Sequence, residues 1–344
     1  MKELRLALLG FGNAGRAFGR LLMDKHGEIR EKYNTDVKVV AIATGSRGNL
    51  YCTGGIDIAS AIDDIEKTGR FAPQRGLTDM TTMEIVEKAD YDVVCEMTPL
   101  NIFTGQPATD HIRGAFARKK HAITANKGPI AWHFRQLADM AKEAGVCFFY
   151  ETTVMDGTPV FNLVEHTLKM ARVTEVSGIL NSTTNFILEE MEKGCDYEDI
   201  MERGRALGFV EADPAMDIEG YDAAAKITAL LNVLMDADIT PDQVDRKGIE
   251  DITYDDIEAA RTGGKIIKLL CKGARDEDGN VHASVKPELV DRTDLLATVN
   301  STTSIVSITT DLMKKITVVE HDPEIEQTAY GVFGDLIRVL DELA

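Results

Sequence analysis

The chain has 344 residues, 44% of them hydrophobic, with 38 Lys and Arg against 57 Asp and Glu for a formal charge of −19. That length supports about two domains with buried cores. So acidic a chain lacks the positive footprint needed to bind nucleic acid or an anionic membrane surface.

No apolar run approaches the roughly 18 residues of a membrane span, and the N-terminus leads straight into glycine-rich sequence, so the expected compartment is the cytoplasm. Charge is unevenly divided. Residues 1–150 carry 20 basic and 18 acidic side chains, whereas residues 189–258 carry 6 and 21. The five cysteines, Cys52, Cys95, Cys147, Cys195 and Cys271, form no C-x-x-C pair and read as small core residues of a reducing compartment. No clustered His/Cys set proposes zinc, and the seven histidines read as structural or exposed.

In chain order, Leu4 to Leu9 is a short apolar strand followed at once by Gly10-Phe-Gly-Asn-Ala-Gly15. A helix follows in which Ala14, Ala17, Phe18, Leu21 and Leu22 share a face, and Val37 to Ala43 is a second strand. Further strands are predicted at Asp92 to Glu96, His121 to Thr124 and Val146 to Glu151, with helices at Ala108 to Lys119 and Phe134 to Ala144. This alternation predicts an α/β, Rossmann-type domain over residues 1–150, with helices on both faces of a parallel sheet.

Beyond it the rhythm changes. Helices are predicted near Val160 to Met170, Thr184 to Lys193, Tyr197 to Leu207 and Asp222 to Met235, with a strand near Val173 to Leu180. The pieces Ile266 to Lys272, His282 to Lys286 and Ser304 to Ser307 extend its sheet, giving an α+β second domain over 151–315. Residues 316–344 end in a helix, Glu326 to Leu343, that returns to the first domain.

The glycine fingerprint gains a mechanism from its place between strand and helix. Gly10 permits the tight turn, Gly12 lets backbone approach a pyrophosphate, and Gly15 lets the helix pack closely on the strand. The amides from Asn13 and Ala14 onward then face the phosphates at a helix N-terminus. NAD usually requires a carboxylate at the end of the second strand, but here Ala43-Thr-Gly-Ser46-Arg47-Gly48 holds no acid. Ser46 and Arg47 suit a 2′-phosphate, so NADP is the expected cofactor, with NAD the alternative.

Asp222 and Lys226 are four apart and project from one face of a helix. An exposed pair of this kind contributes only about 0.3–0.5 kcal/mol. Here three alanines intervene and the helix continues with Ile227, Leu230, Leu231 and Leu234, so the pair is not expected to be a purely solvated one.

An ordered set of segments resembles homoserine dehydrogenases of the monofunctional type. It comprises Gly10 to Gly15, Glu96-Met-Thr-Pro-Leu-Asn101 with Thr104-Gly105, Thr124-Ala-Asn-Lys-Gly-Pro129, Gly178 to Leu188, Leu207-Gly-Phe-Val-Glu-Ala-Asp-Pro214 and Glu219 to Lys226. The resemblance implies NAD(P)-linked interconversion of L-homoserine and L-aspartate 4-semialdehyde by a homodimer, in the biosynthesis of threonine, methionine and isoleucine. It assigns substrate binding and dimerisation to the domain over 151–315, Glu211 and Asp222 to the substrate ammonium, Lys226 to proton transfer and Lys127 to an active-site role near the nicotinamide. Thr98 and Gly208 fall at cofactor-contact positions. Glu151, Val154, Asp156 and Thr158 match a segment whose backbone oxygens hold a monovalent cation, although Asp156 stands where small residues are usual.

One segment departs from the family. The glycine-rich turn before the last helix is replaced by Val319-Glu-His-Asp-Pro-Glu-Ile-Glu-Gln-Thr328, so that turn either faces solvent or makes a rebuilt cofactor contact. No aspartokinase or regulatory segment is matched. The alternatives are a related oxidoreductase acting on another amino-acid aldehyde or hydroxy acid, or a dinucleotide sensor without turnover.

Overall fold

The structure is a computed structural model that describes residues 1–210 and 213–344. Two units emerge: residues 1–159 with 324–344, and residues 160–323.

The first unit runs β1 (Lys2–Leu9), α1 (Asn13–Tyr33), β2 (Thr35–Ala43), β3 (Asn49–Tyr51), α2 (Ile58–Thr68), β4 (Leu77–Thr78), α3 (Thr82–Lys88), β5 (Val93–Glu96), α4 (Ala108–Ala117), β6 (His121–Thr124), α5 (Lys127–Ala144) and β7 (Phe148–Phe149). The sheet order is β4-β3-β2-β1-β5-β6-β7. The strands β2, β1, β5, β6 and β7 are parallel, and β3 and β4 add an antiparallel edge. Chain order reverses direction across β1, with β2 on one side and β5 on the other. Such a switch point opens a crevice at the carboxyl ends of the strands. The central strands are apolar on both faces because helices cover both. Leu4, Leu6 and Leu8 of β1 pack with Phe18 and Leu22 of α1, while Ala7 and Leu9 join a second cluster with Ile85, Ile112 and Phe116.

The second unit runs α6 (Val160–Thr167), β8 (Val173–Ile179), α7 (Ser182–Glu192), α8 (Tyr197–Leu207), α9 (Ala215–Ile218), α10 (Tyr221–Met235), β9 (Asp245–Arg246), α11 (Tyr254–Thr262), β10 (Lys265–Arg275), β11 (Val281–Asp291), β12 (Ser304–Thr310) and β13 (Lys314–Glu320). Its six-stranded sheet has the order β13-β12-β8-β10-β11-β9, antiparallel except where β9 joins β11. The final helix, α12 (Ile325–Leu343), belongs to the first unit. Its buried face, Val332, Leu336, Val339 and Leu340, completes the cluster around β1 and α1.

The boundaries differ from the sequence expectation for physical reasons. The first unit extends past residue 150 to Pro159 because residues 151–157 are bound to α12. Glu151 donates its backbone N–H to the fully buried Asp335 (2.9 Å), and a Cβ on Gly331 would lie 2.6 Å from Thr152 Cβ. The second unit extends past 315 because β13 pairs with β12 along its whole length, from Ser304–Glu320 to Thr310–Lys314. Similarly, α5 starts at Lys127 rather than Phe134. Asn126 caps it by accepting from the Gly128 N–H (3.0 Å), Pro129 sits in the first turn where its missing N–H costs nothing, and a kink at His133 joins two helical stretches. Gly-Pro in the sequence looks like a loop but is a helix start.

Lys268 is the one lysine among the buried polar residues described in the second unit, at 2% exposure. It donates to Asn185 Oδ1 (2.8 Å) and to the Val299 carbonyl (2.6 Å). Burial pushes its ammonium down to about 8, opposed by the nearby Glu189 and Glu192 carboxylates. Between about pH 8 and 10.5 the unfolded chain holds a proton that the folded chain has released, so this group adds stability as pH rises through that window. Urea unfolding at pH 7 and pH 9.5 should therefore show wild type gaining about 2 kcal/mol relative to Lys268→Met. An unchanged difference between the two would place the ammonium outside the titration.

Candidate active site

In the first unit, Gly10 ends β1 with φ +98° and lies against the end of β5. A Cβ there would stand 2.3 Å from the Met97 carbonyl oxygen. Gly15 is equally confined, its hypothetical Cβ 2.5 Å from the Gly10 carbonyl, whereas Gly12 has no atom within 4 Å on that side. Gly10 and Gly15 therefore answer to protein packing, and Gly12 leaves open space at the start of α1. Gly12 is also the N-cap and offers no side chain to the first-turn amides, so those N–H groups face outward with the positive end of the helix.

This opening leads into a cavity of about 790 Å³ that Gly10, Gly12, Asn13, Ala14, Gly15, Ser46, Arg47 and Thr98 all line. Arg47 donates from its guanidinium to the Phe11 carbonyl (3.4 Å), and the turn carrying it is fixed by Thr44, whose hydroxyl donates to Gly48 O and accepts from Arg47 N–H. Thr81, Thr82 and Met83 also line this cavity. Among the described residues that line it there is no carboxylate.

At the β5 side, Thr98 gives both its N–H (2.7 Å) and its hydroxyl to the fully buried Glu96. The other Glu96 oxygen lies 2.6 Å from His111 Nδ1, and His111, 5% exposed, forms part of the cavity wall. Sequence reasoning missed this pair. It treated every histidine as structural or exposed, and only the register of α4 against β5 brings the two together.

Lys127 opens α5 and is half-buried. Its placement is set by the adjoining loop: Asn126 donates to the Thr98 carbonyl (3.1 Å), and the Cα of Gly105 meets Gly128 so closely that a Cβ on either would lie 2.7 Å from the other's backbone. Glu151, Val154, Asp156 and Thr158 lie in a turn-rich segment packed on α12. Asp156 has φ +42°, a left-handed conformation that favours a residue without a bulky side chain, and its carboxylate accepts from the Thr328 hydroxyl (2.5 Å). Among the described residues no cluster of His, Cys, Asp and Glu is arranged to hold a metal.

In the second unit, α10 begins after Gly220, which takes φ +80°. Asp222 and Lys226 stand one turn apart with 3.4 Å between Nζ and Oδ2. Their side chains are 16% and 19% exposed, so this is not a solvated helix-face pair. Ala223, Ala224 and Ala225 are buried, and the Lys226 ammonium donates to the Leu180 carbonyl (2.7 Å). Asn181, at the N-cap of α7, organises the carboxylates. Its Oδ1 accepts from Thr184 N–H (2.8 Å), and its amide nitrogen donates to Asp217 (2.6 Å) and Asp222 (3.0 Å). Burial, and then the Asp222 charge, raise Asp217 above the ordinary carboxylate range. Two carboxylates, an amide that orients them and an ammonium in one half-buried cluster can bind a substrate cation and move a proton. Asp217 was not singled out from sequence, although it stands five residues before Asp222 across the α9–α10 turn.

Glu211 lies outside the described residues. Gly208 is the exposed, left-handed cap of α8 (φ +77°). In the acidic turn before α12, Asp322, Glu324 and Glu326 are exposed, whereas Glu320 is buried.

The NAD-binding domain model of homoserine dehydrogenase matches residues 10–151, and the homoserine dehydrogenase domain model matches residues 159–337. The chain belongs to the homoserine dehydrogenase family. It is 38% identical to the homoserine dehydrogenase of Methanocaldococcus jannaschii over 97% of this chain and 98% of the relative. It is 36% identical to the NAD(+)-dependent homoserine dehydrogenase of Pseudomonas canavaninivorans, covering 98% and 97%. A crystal structure of the Thermoplasma acidophilum homoserine dehydrogenase superposes with a TM-score of 0.83 at 25% identity, covering 99% of this chain and all of that one. Membership makes this an NAD(P)-dependent oxidoreductase with a small-molecule substrate, built as a dinucleotide-binding domain and a second sheet domain. Among the described residues, no helix is long and apolar enough to cross a membrane.

The unequal glycines give a direct check on the cavity. Gly12→Val should stay folded, since no protein atom lies within 4 Å of the added Cβ and the poorer helix cap costs only about 1 kcal/mol, yet weaken NADPH binding by about 100-fold through lost phosphate contacts. Gly10→Val should lower the melting temperature itself. Unaltered NADPH affinity in Gly12→Val, measured by fluorescence titration, would show that this loop does not hold the cofactor.

Proposed function

We propose that the protein interconverts L-aspartate 4-semialdehyde and L-homoserine with NADP preferred over NAD, within the biosynthesis of threonine, methionine and isoleucine. The observation carrying this reading is the Asn181–Asp217–Asp222–Lys226 cluster, which combines anionic partners for an amino-acid ammonium with a mostly buried lysine. A nicotinamide dinucleotide held at the Gly10–Gly15 loop would supply the hydride to the aldehyde carbon in reduction and take it from the alcohol carbon in oxidation. Asp222, with Asp217 and Glu211, holds the substrate ammonium, because that charge needs carboxylates inside a partly dry site. Lys226 delivers the proton to the aldehyde oxygen in reduction and removes it from the alcohol in oxidation, while Lys127 positions and polarises that oxygen.

For the cofactor, Ser46 and Arg47 bind the 2′-phosphate. Support comes from the Arg47 guanidinium on the cavity wall and from the absence of any carboxylate among the described lining residues. One relative is named as NAD(+)-dependent, so the preference is a property to be measured on this chain.

Two substitutions test these roles. Lys226→Ala should lower kcat by about 1,000-fold with NADPH affinity retained, as expected for removal of a proton-transfer group. Near wild-type turnover removes its role. Arg47→Ala should reduce kcat/KM with NADPH by about 10–100-fold and leave the NADH value unchanged, the effect of one charge-assisted contact. Equal efficiency of the wild type with both cofactors overturns the preference. NADPH oxidation assayed with aspartate 4-semialdehyde beside other amino-acid aldehydes decides the substrate, and light scattering tests the homodimer implied by family resemblance.

A further inference from the structure

We propose that the buried Glu96–His111 pair is a positioning unit of the cofactor site, one that fixes Thr98 and the wall beside it for the dinucleotide. The inference rests on reading the 790 Å³ cavity as the NAD(P) site. Three observations carry it. First, Glu96 is fully buried at the end of β5, where an apolar side chain would fit the parallel sheet and an unpaired carboxylate would be costly. Second, each of its oxygens is committed. Oε1 accepts the Thr98 N–H and hydroxyl, and Oε2 meets His111 Nδ1 at 2.6 Å. Third, both of its partners line the cavity, and Glu96 does not.

Those commitments have chemical consequences. Thr98 spends its hydroxyl proton on Glu96, so toward the cavity its oxygen can only accept. A ribose hydroxyl or a carboxamide N–H can meet such an acceptor, whereas a phosphate oxygen cannot. The carboxylate likewise holds the Nδ1 proton of His111, which fixes the tautomer and ring orientation and leaves Nε2 as the nitrogen free to answer the cavity. Asn126, which caps α5 beside Lys127, donates to the Thr98 carbonyl, so the same unit restrains the backbone next to an active-site lysine. A structural ion pair would satisfy burial alone. This one joins two cavity-lining groups through a residue that the cavity never touches.

The test uses the intact protein with His111→Leu, His111→Asn and Glu96→Gln. His111→Leu fills the space without a donor, and His111→Asn keeps a nitrogen donor near the Nδ1 position. In folded protein, judged by near-UV circular dichroism and melting temperature, His111→Leu should raise the NADPH dissociation constant and KM by about 10-fold to 100-fold, the scale of loss from misplacing a contact group. The semialdehyde KM should stay within about twofold of wild type, a change too small to register as a lost contact, and His111→Asn should recover most of the NADPH affinity. Glu96→Gln keeps the shape, removes the charge, and should weaken NADPH selectively even if His111→Leu fails to fold. Wild-type NADPH affinity in folded His111→Leu, or equal losses for cofactor and semialdehyde, overturns the proposal. NADPH titration of the wild type keeps the outcomes separable. If the enzyme binds NADPH but turns over no semialdehyde, the substrate reading fails and the positioning unit is still tested by binding.

Discussion

The meeting of Gly10 with the Met97 carbonyl constrains everything that follows in the first unit. With a hypothetical Cβ only 2.3 Å from that oxygen, no other residue fits between the ends of β1 and β5. The contact brings the loop that opens α1 beside the loop that carries Thr98. Because β1 is also where strand order reverses, this spot is the mouth of the crevice. The other groups follow from it: Gly12 opens onto free space, and Glu96, at the end of β5, lies beneath the wall that its partners form. A second close approach, Gly105 on Gly128, ties the next loop to the start of α5 and so sets Lys127. Rigid backbone contacts of this kind position groups more accurately than flexible loops can.

The second unit solves a different problem, that of keeping several charges in a mostly buried cluster. Asp217 and Asp222 repel each other, and both approach one amide. Asn181 is held by the start of α7 through Thr184, so its two N–H donors have a fixed direction. Lys226 is restrained by a carbonyl as well as by Asp222. Burial first and the Asp222 charge second raise Asp217, so its charged form is the one that a nearby cation would favour. Three buried alanines, Ala223, Ala224 and Ala225, let this cluster sit close against the rest of the unit.

What could be read from sequence divides along physical lines. The α/β alternation, the glycine fingerprint and the Asp222–Lys226 spacing were legible because periodicity and i,i+4 geometry are local. The elements misplaced were those whose local signals conflict with tertiary context: α5, hidden by Gly128-Pro129; the short β3 and β4, paired only at an edge; and β13, whose strand character depends on β12. Glu96 with His111, and Asn181 with Asp217, were illegible for a stronger reason. Their partners lie 15 and 36 residues apart, and nothing in the intervening sequence encodes the distance. Polar residues acting across elements are visible only once register is known.

The uneven charge of the chain acquires a more specific meaning from these contacts. Of the acids between residues 189 and 258, several are neutralised locally: Glu189 and Glu190 by Lys193, Glu190 also by Arg203, and Glu192 by Arg292. These are partly exposed pairs, and they contribute little to stability. Others, such as Asp196, Asp255 and Asp256, serve helix starts, where a carboxylate meets unpaired N–H groups. After these are set aside, Asp217 and Asp222 stand apart. They are partly shielded from water, Asp217 is raised by burial and by the Asp222 charge, and both are organised by a single amide. Acidity in bulk says little about function. What distinguishes these two carboxylates is that one fixed amide gathers both of them at the start of α7.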